Sequence, residues 1–526
     1  MQSNLKNPFR KAWGLVAMMV VTGLLVACSS RVRESELAQM RYLSAPSAYL
    51  YPDYADCTIP VNIAPLNFYI LPPHSRYELK AYGSGPDTLR LKGHHKVRFA
   101  PKAWHRLLAQ NLHDTLRVQI NLRTSEGVQQ HAFNWVVQDS IDPYFSCRLI
   151  EPSYQTSSVL QTIEYNLQDA TTRFLFDNRL QGIGCENCHT YAQSNGDYIV
   201  YHVRFDHTGT FIITPEQTLR VDLKSERFPQ GGVYPAWHPN KELIAFGTAS
   251  AYPFVHAQDI VRRTEVYDSF GDIMLYDVLR NYIFTDERLC DSLNEETFPY
   301  WSPDGQWLYV CQSPNPPRDE DEDDVDFSKK IRYNLIRVAF DDSTRTFGRI
   351  DTVINAAVAG YTVSFPRLSP DGRFLAVCLS DHGTFPIRHP ESDLYLLNLS
   401  DKEGEGFEHK PGFLYPVKKM ENVNSPYTES YHTFSSKGSW LMYSTKREDN
   451  LYSRPYFTYI DSMGVSHKPF LLPQKDPAFY LSFFRSFNVP EFSNRPIRTS
   501  AAEAKRFSRM ERIRPDSIVI LKYPQP

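Results

Sequence analysis

The stretch Phe298-Pro299-Tyr300-Trp301-Ser302-Pro303-Asp304-Gly305 decides the fold, because the chain repeats it. Three more segments align with it without gaps, at residues 234–240, 365–372 and 431–438, and a weaker first copy occupies residues 205–209. In the clearest copies, a proline followed by Asp-Gly favours a β-turn that reverses the chain. A short apolar segment after each turn is typical of a strand. The pattern therefore predicts repeated antiparallel units.

The repeated unit matches a propeller blade. Beyond each turn and its strand, further apolar segments such as residues 335–340 and 394–397 complete four strands per unit. Four-stranded units repeated along a chain are the sequence signature of a β-propeller. The units are longer than ordinary blades, so insertions must extend their loops. Five copies are visible, and a sixth that has lost the pattern would escape detection, so we predict five or six blades.

Length and composition bound the rest of the chain. The 526 residues are 42% hydrophobic and 22% charged, which supports large cores and excludes global disorder. A net charge of -3 gives the chain as a whole no basic surface for nucleic acid. We predict a mainly β protein built from a signal peptide at 1–28, a tether at 29–48, a β-sandwich-like domain at 49–150, a helical linker at 151–195, a propeller at 196–490 and a tail at 491–526.

The first 28 residues have the pattern of an export signal. Basic residues precede an apolar run at 13–27 that is too short to span a bilayer comfortably. The run ends in Leu25-Val26-Ala27-Cys28, which resembles the lipobox of bacterial lipoproteins, so we expect lipidation of Cys28. An uncleaved anchor or an ordinary signal peptide is the alternative. Ser29 suits an outer-membrane destination, and residues 29–33 lack an acidic export tag, so we expect the periplasmic face.

The stretch Cys185-Glu186-Asn187-Cys188-His189 is the attachment signature of c-type haem. Two thiols at this spacing can add to the two vinyl groups of one porphyrin, and the adjacent imidazole can then ligate the iron. We therefore predict one covalent haem c, with Cys185 and Cys188 as thioether anchors and His189 as the proximal iron ligand. Export supports this assignment, because bacteria attach haem to c-type cytochromes outside the cytoplasm.

Other functions of Cys185 and Cys188 would require different sequence patterns around them. A thioredoxin-like redox pair needs a βαβ setting, and no alternating βαβ pattern surrounds these cysteines. A zinc site would want a second ligand pair at similar spacing, and the sequence has no other Cys-x-x-Cys. A disulfide between Cys185 and Cys188, structural or redox-active, remains open. Cys57 and Cys147 are candidates for a second disulfide.

The sixth iron ligand would set the role of a haem. A histidine or methionine there favours electron transfer, whereas an open position favours binding of a small ligand. His202 is the first choice, because it lies close to the motif in sequence. His238, His256 and Met274 are the alternatives, and each is also compatible with an ordinary structural role.

The whole arrangement resembles a family of TolB-like exported propeller proteins. The resemblance rests on the lipobox, on Leu149-Ile150-Glu151-Pro152, on the Cys-x-x-Cys-His motif and on Tyr234-Pro235-Ala236-Trp237-His238-Pro239, and it covers the chain from about residue 49 to about residue 492. Members are often described as cytochrome c-related from that single motif. TolB itself is a soluble periplasmic scaffold, which implies a propeller that docks partner proteins.

Two functions follow from these expectations. The first is an outer-membrane-anchored monohaem protein for electron transfer or sensing, whose propeller docks a protein partner. The second is a haem-free interaction scaffold in which Cys185 and Cys188 form a disulfide. The sequence contains no Gly-x-Ser-x-Gly elbow and no His-Glu-x-x-His pattern, so we predict no catalytic residues.

Overall fold

A computed structural model describes residues 34–43, 49–151, 159–181, 184–205, 207–255, 264–317, 323–400 and 402–523. The predicted signal peptide with Cys28 lies outside these residues, as does half of the predicted tether, in which Glu34–Leu43 forms a helix. None of the helices in the described ranges is long and apolar enough to cross a membrane. Strands dominate the described chain, which confirms the mainly β prediction.

Six β-sheet units form a β-propeller. The strand of each unit that lies nearest the axis contacts the corresponding strands of its two neighbours, and these contacts close into a ring. The fold class is as predicted, and the number of blades is six. The blades, each written from its innermost strand outward, are blade 1 (Ser486–Ser493, Tyr144–Ile150, Gln161–Asn166, Thr171–Asp177), blade 2 (Gly184–Ala192, Asn195–Phe205, Gly209–Ile213, Thr218–Val221), blade 3 (Val233–Trp237, Leu243–Gly247, Ile273–Asp277, Tyr282–Asp286), blade 4 (Asn294–Trp301, Trp307–Pro314, Asn334–Asp341, Thr346–Ile354), blade 5 (Thr362–Leu368, Phe374–Ser380, Asp393–Asn398, Val417–Lys419) and blade 6 (Glu429–Phe434, Trp440–Thr445, Arg454–Tyr459, Phe470–Leu471).

Distant parts of the chain meet in blade 1. Its innermost strand, Ser486–Ser493, pairs antiparallel with Tyr144–Ile150, so a strand that follows blade 6 completes a sheet that precedes blade 2. A second late strand, Ser517–Leu521, adds in parallel to the outer edge of blade 3. The predicted tail at 491–526 is therefore partly propeller, and the ring closes through strand pairing between its two ends.

The predicted helical linker at 151–195 is wrong. Gln161–Asn166 and Thr171–Asp177 are the outer strands of blade 1, and Gly184–Ala192 is the innermost strand of blade 2. Within the described part of this segment, only Asn178–Gln181 is helical. Short apolar runs suit a helix and a buried strand equally, so their spacing did not separate the two. The propeller therefore begins near residue 144, inside the predicted sandwich-like domain.

The N-terminal domain has two sheets and a helix around one core. The core continues into blades 1 and 6 through residues such as Phe145 and Trp440, so the domain and the propeller pack as one unit. The five-stranded sheet has the order Cys57–Pro60, Gly127–Gln138, Thr115–Thr124, Arg76–Tyr82, Thr88–Gly93, the three-stranded sheet has the order Leu50–Tyr51, Phe68–Ile70, Lys96–Val97, and the helix is Pro101–Gln110.

Cys57 and Cys147 both lie in this shared core as free thiols, so the structure does not support a disulfide between them. Burial raises the pKa of the Cys57 thiol to about 12, which keeps it protonated.

The propeller also carries insertions and short helical segments between its strands. These are the hairpin Ser250–Val255 with Thr264–Ser269, the helices Asp324–Lys330, Ala356–Ala359 and Ala501–Phe507, and the 3-10 turns Glu287–Leu289, Pro386–Arg388 and Phe479–Leu481.

Hydrogen bonds in the Ser-Pro-Asp-Gly turn explain why the repeat is visible in sequence. The hydroxyl of Ser302 accepts from the backbone N–H of Trp307 at 2.9 Å and donates to a carboxylate oxygen of Asp304 at 2.5 Å. Gly305 donates its N–H to the Ser302 carbonyl at 2.9 Å with a φ of 74°, a conformation that glycine adopts without steric cost. Residues 369–372 repeat these bonds in blade 5. The turn is therefore stabilised within a few residues.

Removing an aromatic side chain from the closing strand should destabilise the propeller. Phe487 and Phe492 are 2% and 1% exposed and lie in the core that joins the N-terminal domain to blades 1 and 6. We expect Phe487→Ala or Phe492→Ala to lower the free energy of unfolding by about 3–5 kcal/mol in urea denaturation. Phe484→Ala is the matched control, because Phe484 is 66% exposed and its loss should cost no more than about 0.5 kcal/mol. Equal losses in all three variants would contradict closure through this strand.

Candidate functional site

Each innermost strand carries a β-bulge at the same place. The pairing register shifts there in every blade, and one residue adopts a left-handed backbone conformation with φ between 47° and 60°. Residues other than glycine rarely adopt this conformation, which costs of the order of 1–3 kcal/mol at each position. The bulge residues, in the order of blades 1 to 6, are Val489, Cys188, Tyr234, Phe298, Phe365 and Tyr431.

The bulge identifies the Cys-x-x-Cys-His motif as a copy of the repeat. Cys188 occupies the position of Phe298, and His189 occupies that of Pro299. This copy lacks the aromatic residue and the proline, so the sequence comparison within the chain missed it. In the predicted weak first copy at 205–209, Phe205 instead ends the second strand of blade 2 and Gly209 begins the third. The motif therefore lies on an innermost strand, beside the central channel.

The bulge residues line a cavity at one end of the channel, here called the inner cavity. Four of them form a continuous aromatic belt. The ring centroids are 4.8 Å apart for Tyr234 and Phe298, 4.1 Å for Phe298 and Phe365, and 4.9 Å for Phe365 and Tyr431. The other two bulge residues complete the wall, and the cavity volume is about 100 Å³. The repeat therefore builds an apolar, aromatic wall around the axis.

Several arginines reach the inner cavity. Arg148 of blade 1, Arg204 of blade 2, and Arg367 and Arg388 of blade 5 line it together with one acidic residue, Glu491. Among the described lining residues, four positive charges therefore face one negative charge. Low-dielectric walls strengthen the field of such a cluster. The inner cavity consequently favours an anion.

An ion pair closes the channel next to the inner cavity. Arg367 lies 3.4 Å from Glu491, and its guanidinium lies over the ring of Tyr300 at 4.8 Å from the ring centroid. Burial raises the pKa of Glu491, and the positive charge of Arg367 opposes that rise. Both residues also line a wider cavity of about 380 Å³, whose wall includes the Ser-Pro-Asp-Gly turns. Arg367 and Glu491 therefore separate two funnels of one channel.

Two insertions, here called the cap, cover the inner cavity. The hairpin Ser250–Val255 with Thr264–Ser269 follows the second strand of blade 3. Residues 381–392 join the second and third strands of blade 5. Val266 of the hairpin and Phe385 of the loop both line the cavity. The chain thus encloses the inner cavity with segments that are absent from a minimal blade.

A buried carboxyl group joins the cap to the channel wall. Asp268 of the cap is 4% exposed and accepts a hydrogen bond from the hydroxyl of Tyr234 at 2.7 Å. Burial raises the pKa of Asp268 to about 7, although the Tyr234 hydroxyl and the charge of Arg204 lower it in part. The charge of this contact therefore changes close to neutral pH.

The predicted haem ligands lie where blade 2 meets blade 1. Cys188 lines the inner cavity, and the backbone of Cys185 pairs with that of Arg204. The imidazole of His189 lines the cavity and also the space between blades 1 and 2, beside Tyr191. Burial lowers the pKa of His189 to about 4, so the ring is neutral at pH 7. Its buried Nε2 makes no hydrogen bond with the described part of the chain.

His202 does not face the same space as His189. Successive side chains of a strand point to opposite faces of a sheet. Tyr201 and Val203 pack against apolar residues of blade 1, the side on which His189 also lies. His202 therefore lies on the opposite face of the sheet, and its Nδ1 lies 3.0 Å from the hydroxyl of Thr210 on the neighbouring strand of blade 2. The fold therefore does not bring His202 and His189 together as the two ligands of one iron.

The alternative sixth ligands have other positions. His238 packs its ring against Trp301, with centroids 4.6 Å apart, and its Nε2 lies 3.1 Å from the carbonyl oxygen of Gly305. Met274 is fully buried in the core of blades 2 and 3. His256 lies outside the described residues. His238 and Met274 thus have structural roles.

The donor atoms fit covalent haem, whereas the volume of the inner cavity would accommodate it only with the cap displaced. Cys188 and the unbonded Nε2 of His189 are the kind of groups that the cofactor requires. The inner cavity, at about 100 Å³, is smaller than the roughly 300–1,000 Å³ of pockets for drug-sized ligands, so a porphyrin would require the cap to move outward.

Sequence comparison matches the chain to no family model and to no curated protein. Similarity to solved structures concerns the fold alone. Hydrazine synthase of Kuenenia stuttgartiensis is 9% identical, with 65% of this chain and 91% of that chain covered and a TM-score of 0.33. Oligogalacturonate lyase of Vibrio parahaemolyticus is 8% identical, with 61% and 92% covered and a TM-score of 0.30. Prolyl oligopeptidase B of Galerina marginata is 12% identical, with a TM-score of 0.34, and 62% of this chain covers only 43% of that peptidase.

Stability should depend on the charge of Asp268. The folded-state pKa of about 7 lies above the unfolded value of about 3.9, so the folded state binds the extra proton between these pH values. Wild-type stability should therefore fall as pH rises through this window, by at most roughly 1.4 kcal/mol per pH unit. Asp268→Asn has no carboxyl group at this position and should not show this loss. The stability of the variant relative to wild type should therefore increase from about pH 5 to about pH 8.

Urea denaturation at both pH values measures this difference. Asp381→Asn is the matched control, because Asp381 is an exposed aspartate of the cap and its loss should leave the wild-type pH profile unchanged. Identical pH profiles for wild type and Asp268→Asn would contradict the assignment.

Proposed function

We propose that this protein is an exported, lipid-anchored propeller of the TolB-like kind that binds a small organic carboxylate in the inner cavity. The observation that supports this most directly is the meeting of four arginines in a cavity walled by aromatic rings. Small-molecule sites are typically apolar concavities with a few placed polar groups. A planar guanidinium matches a carboxylate with two parallel hydrogen bonds. The lining therefore suits an anion with a flat apolar body.

The size of the cavity limits the ligand. Its volume of about 100 Å³ is of the order of the roughly 150 Å³ cavity that admits benzene in another protein. The volume therefore limits the ligand to a short-chain or single-ring acid. The aromatic belt from Tyr234 to Tyr431 supplies ring faces and edges against which a flat body can pack.

The wall of the cavity is pre-formed by the backbone. Left-handed conformations of non-glycine residues persist only where the surrounding structure enforces them, and they are concentrated at active sites and ligand-binding sites. Here the same conformation recurs in all six blades, so the bulge itself is structural. The arginines differ from blade to blade and would supply specificity. A rigid wall with few charged groups reduces the ordering cost of binding.

The anchor and the partner are part of the same proposal. Lipidation of Cys28 would hold the protein at the outer membrane, facing the periplasm. The resemblance to TolB-like proteins supports a propeller that docks a protein partner. In this arrangement the bound carboxylate would be a small molecule of the cell envelope, and the docked protein would contact the outer surface of the propeller.

Titration calorimetry with benzene-1,3-dicarboxylate tests binding in the inner cavity. We expect wild type to bind one equivalent. Arg204→Gln should weaken binding at least about tenfold, because a hydrogen bond to a charged group contributes roughly 1.5–3 kcal/mol. Arg204 is only partly buried, so the variant should fold. Arg90→Gln is the matched control, because Arg90 is exposed and does not line the cavity.

Neutral benzene-1,3-dicarboxamide has nearly the same shape and should not bind, because it lacks the negative charges that the arginines favour. Equal affinity of wild type and Arg204→Gln for the dicarboxylate would contradict the proposal. Equal affinity of wild type for the diacid and the diamide would contradict it as well.

Covalent haem c is the second candidate. One observation favours it: the buried Nε2 of His189, without a hydrogen bond in the described residues, lies on the same strand as Cys188 of the cavity wall. Cys185 and Cys188 would hold the group, His189 would be its iron ligand, and the arginines would supply counter-charges for its carboxylates. The cofactor would provide one-electron transfer or binding of a small ligand.

Expression with a c-type maturation system tests the second candidate. If haem is attached, denatured wild type should show a covalent haem band and a pyridine haemochrome spectrum, and Cys188→Ala should lose or weaken both. Cys290→Ala is the matched control, because Cys290 follows the 3-10 turn after blade 3, away from the motif in the chain. A wild-type mass without haem would overturn this candidate. A disulfide between Cys185 and Cys188 in that protein would instead support the haem-free scaffold.

A further inference from the structure

Three metal-binding side chains meet in the cap. Glu265 lies on the strand Thr264–Ser269, and His382 and His389 lie on the loop 381–392. Their ligand atoms all lie within 4.8 Å of one another. The three residues are 2%, 8% and 0% exposed in that order. None of them lines the inner cavity, so binding of an anion there does not explain why they are buried together.

His389 is oriented as metal-bound histidines are. Its Nε2 lies 3.0 Å from a carboxylate oxygen of Glu265, which is within ion-pair distance. Its Nδ1 lies 3.2 Å from a carboxylate oxygen of Glu391. A histidine that binds a metal usually donates its other ring N–H to a carboxylate or carbonyl, which sets the tautomer and the ring orientation. Glu391 is placed for that role.

The local backbone keeps space around Nε2 of His389. The rings of His382 and His389 are nearly perpendicular, with an interplanar angle of 86° and centroids 4.8 Å apart. Gly383 follows His382 with a φ of 81°, and a Cβ at that position would lie 3.1 Å from Nε2 of His389. A residue larger than glycine would therefore crowd the nitrogen that points toward Glu265.

We propose that Glu265, His382 and His389 bind a divalent transition-metal ion, with zinc as the favoured metal, and that Glu391 positions His389. Two imidazoles and one carboxylate are an established ligand set for zinc, in which a water or another ligand takes the remaining position. A buried carboxylate needs a compensating charge, and a divalent cation supplies it. The competing explanation is a proton that His389 shares with Glu265 and Glu391.

The ion would join insertions from two blades that are not neighbours. The hairpin belongs to blade 3 and the loop to blade 5, and blade 4 lies between them. Val266 is adjacent to Glu265 and Arg388 is adjacent to His389, and both line the inner cavity. Metal binding would therefore hold the cap in its closed position above that cavity.

Zinc titration of the full chain tests this site. The protein is produced without a polyhistidine tag, stripped with a chelator and titrated with zinc chloride alone, by calorimetry and by thermal unfolding. We expect one equivalent to bind and to raise the Tm. Glu391→Gln should weaken binding roughly 10- to 100-fold, because it alters only the residue that positions His389. Glu265→Gln, His382→Ala and His389→Ala should weaken binding more, because each removes a ligand.

A control variant, a partly exposed variant and a cobalt spectrum allow a conclusion even if a variant of a buried ligand fails to fold. His409→Ala should bind zinc as wild type does, because His409 is exposed and lies outside the cap. The Glu391 side chain is 26% exposed, so Glu391→Gln should keep its fold. Cobalt(II) bound to wild type should show the visible absorption of a four- or five-coordinate ion. Absence of stoichiometric zinc binding, or unchanged affinity in Glu391→Gln and His382→Ala, would overturn the proposal in favour of the shared proton.

Discussion

The bulge in the innermost strand is the constraint on which the rest of this structure depends. It places a non-glycine residue in the left-handed conformation in all six blades, and in four of them a proline follows. Because proline has no N–H, strand pairing is interrupted there, and the strand bends. In four consecutive blades the bulge residue is aromatic, and the rings contact one another around the axis at centroid distances of 4.1–4.9 Å. These contacts help to offset the unfavourable backbone conformation and form the wall of the inner cavity.

Because the backbone is nearly the same in every blade, differences between blades determine what the channel can bind. Two residues after the bulge, blade 5 has Arg367 and blade 1 has Glu491, and this pair divides the channel. Blade 2 has Cys188 and His189 where blades 3, 4 and 5 have an aromatic residue and a proline. The cap then adds groups that the repeat does not contain, such as Asp268, whose hydrogen bond with Tyr234 joins an insertion to the wall.

Sequence reasoning succeeded where the turn chemistry of the repeat is intact and failed where it is lost. Blades 4 and 5 can be recognised in the sequence because the hydrogen bonds of their turns join residues within about six positions of one another, as at Ser302. Blade 1 has no such turn, and its strands Gln161–Asn166 and Thr171–Asp177 were expected to be helical. In blade 2 the spacing of Cys185 and Cys188 suggested a haem site, while the same residues are a strongly altered copy of the repeat.

The amino-acid sequence by itself determined the repeating unit, its turns and hence the propeller class, because these depend on contacts between near neighbours in the chain. Only the tertiary structure decided that there are six blades, that arginines from blades 1, 2 and 5 share one cavity, and that Glu265 meets His389. Arg148 and Asn488 are 340 residues apart in the chain and 2.7 Å apart in space. Such contacts form only when the last strand closes the ring, and no local spacing in the sequence records that event.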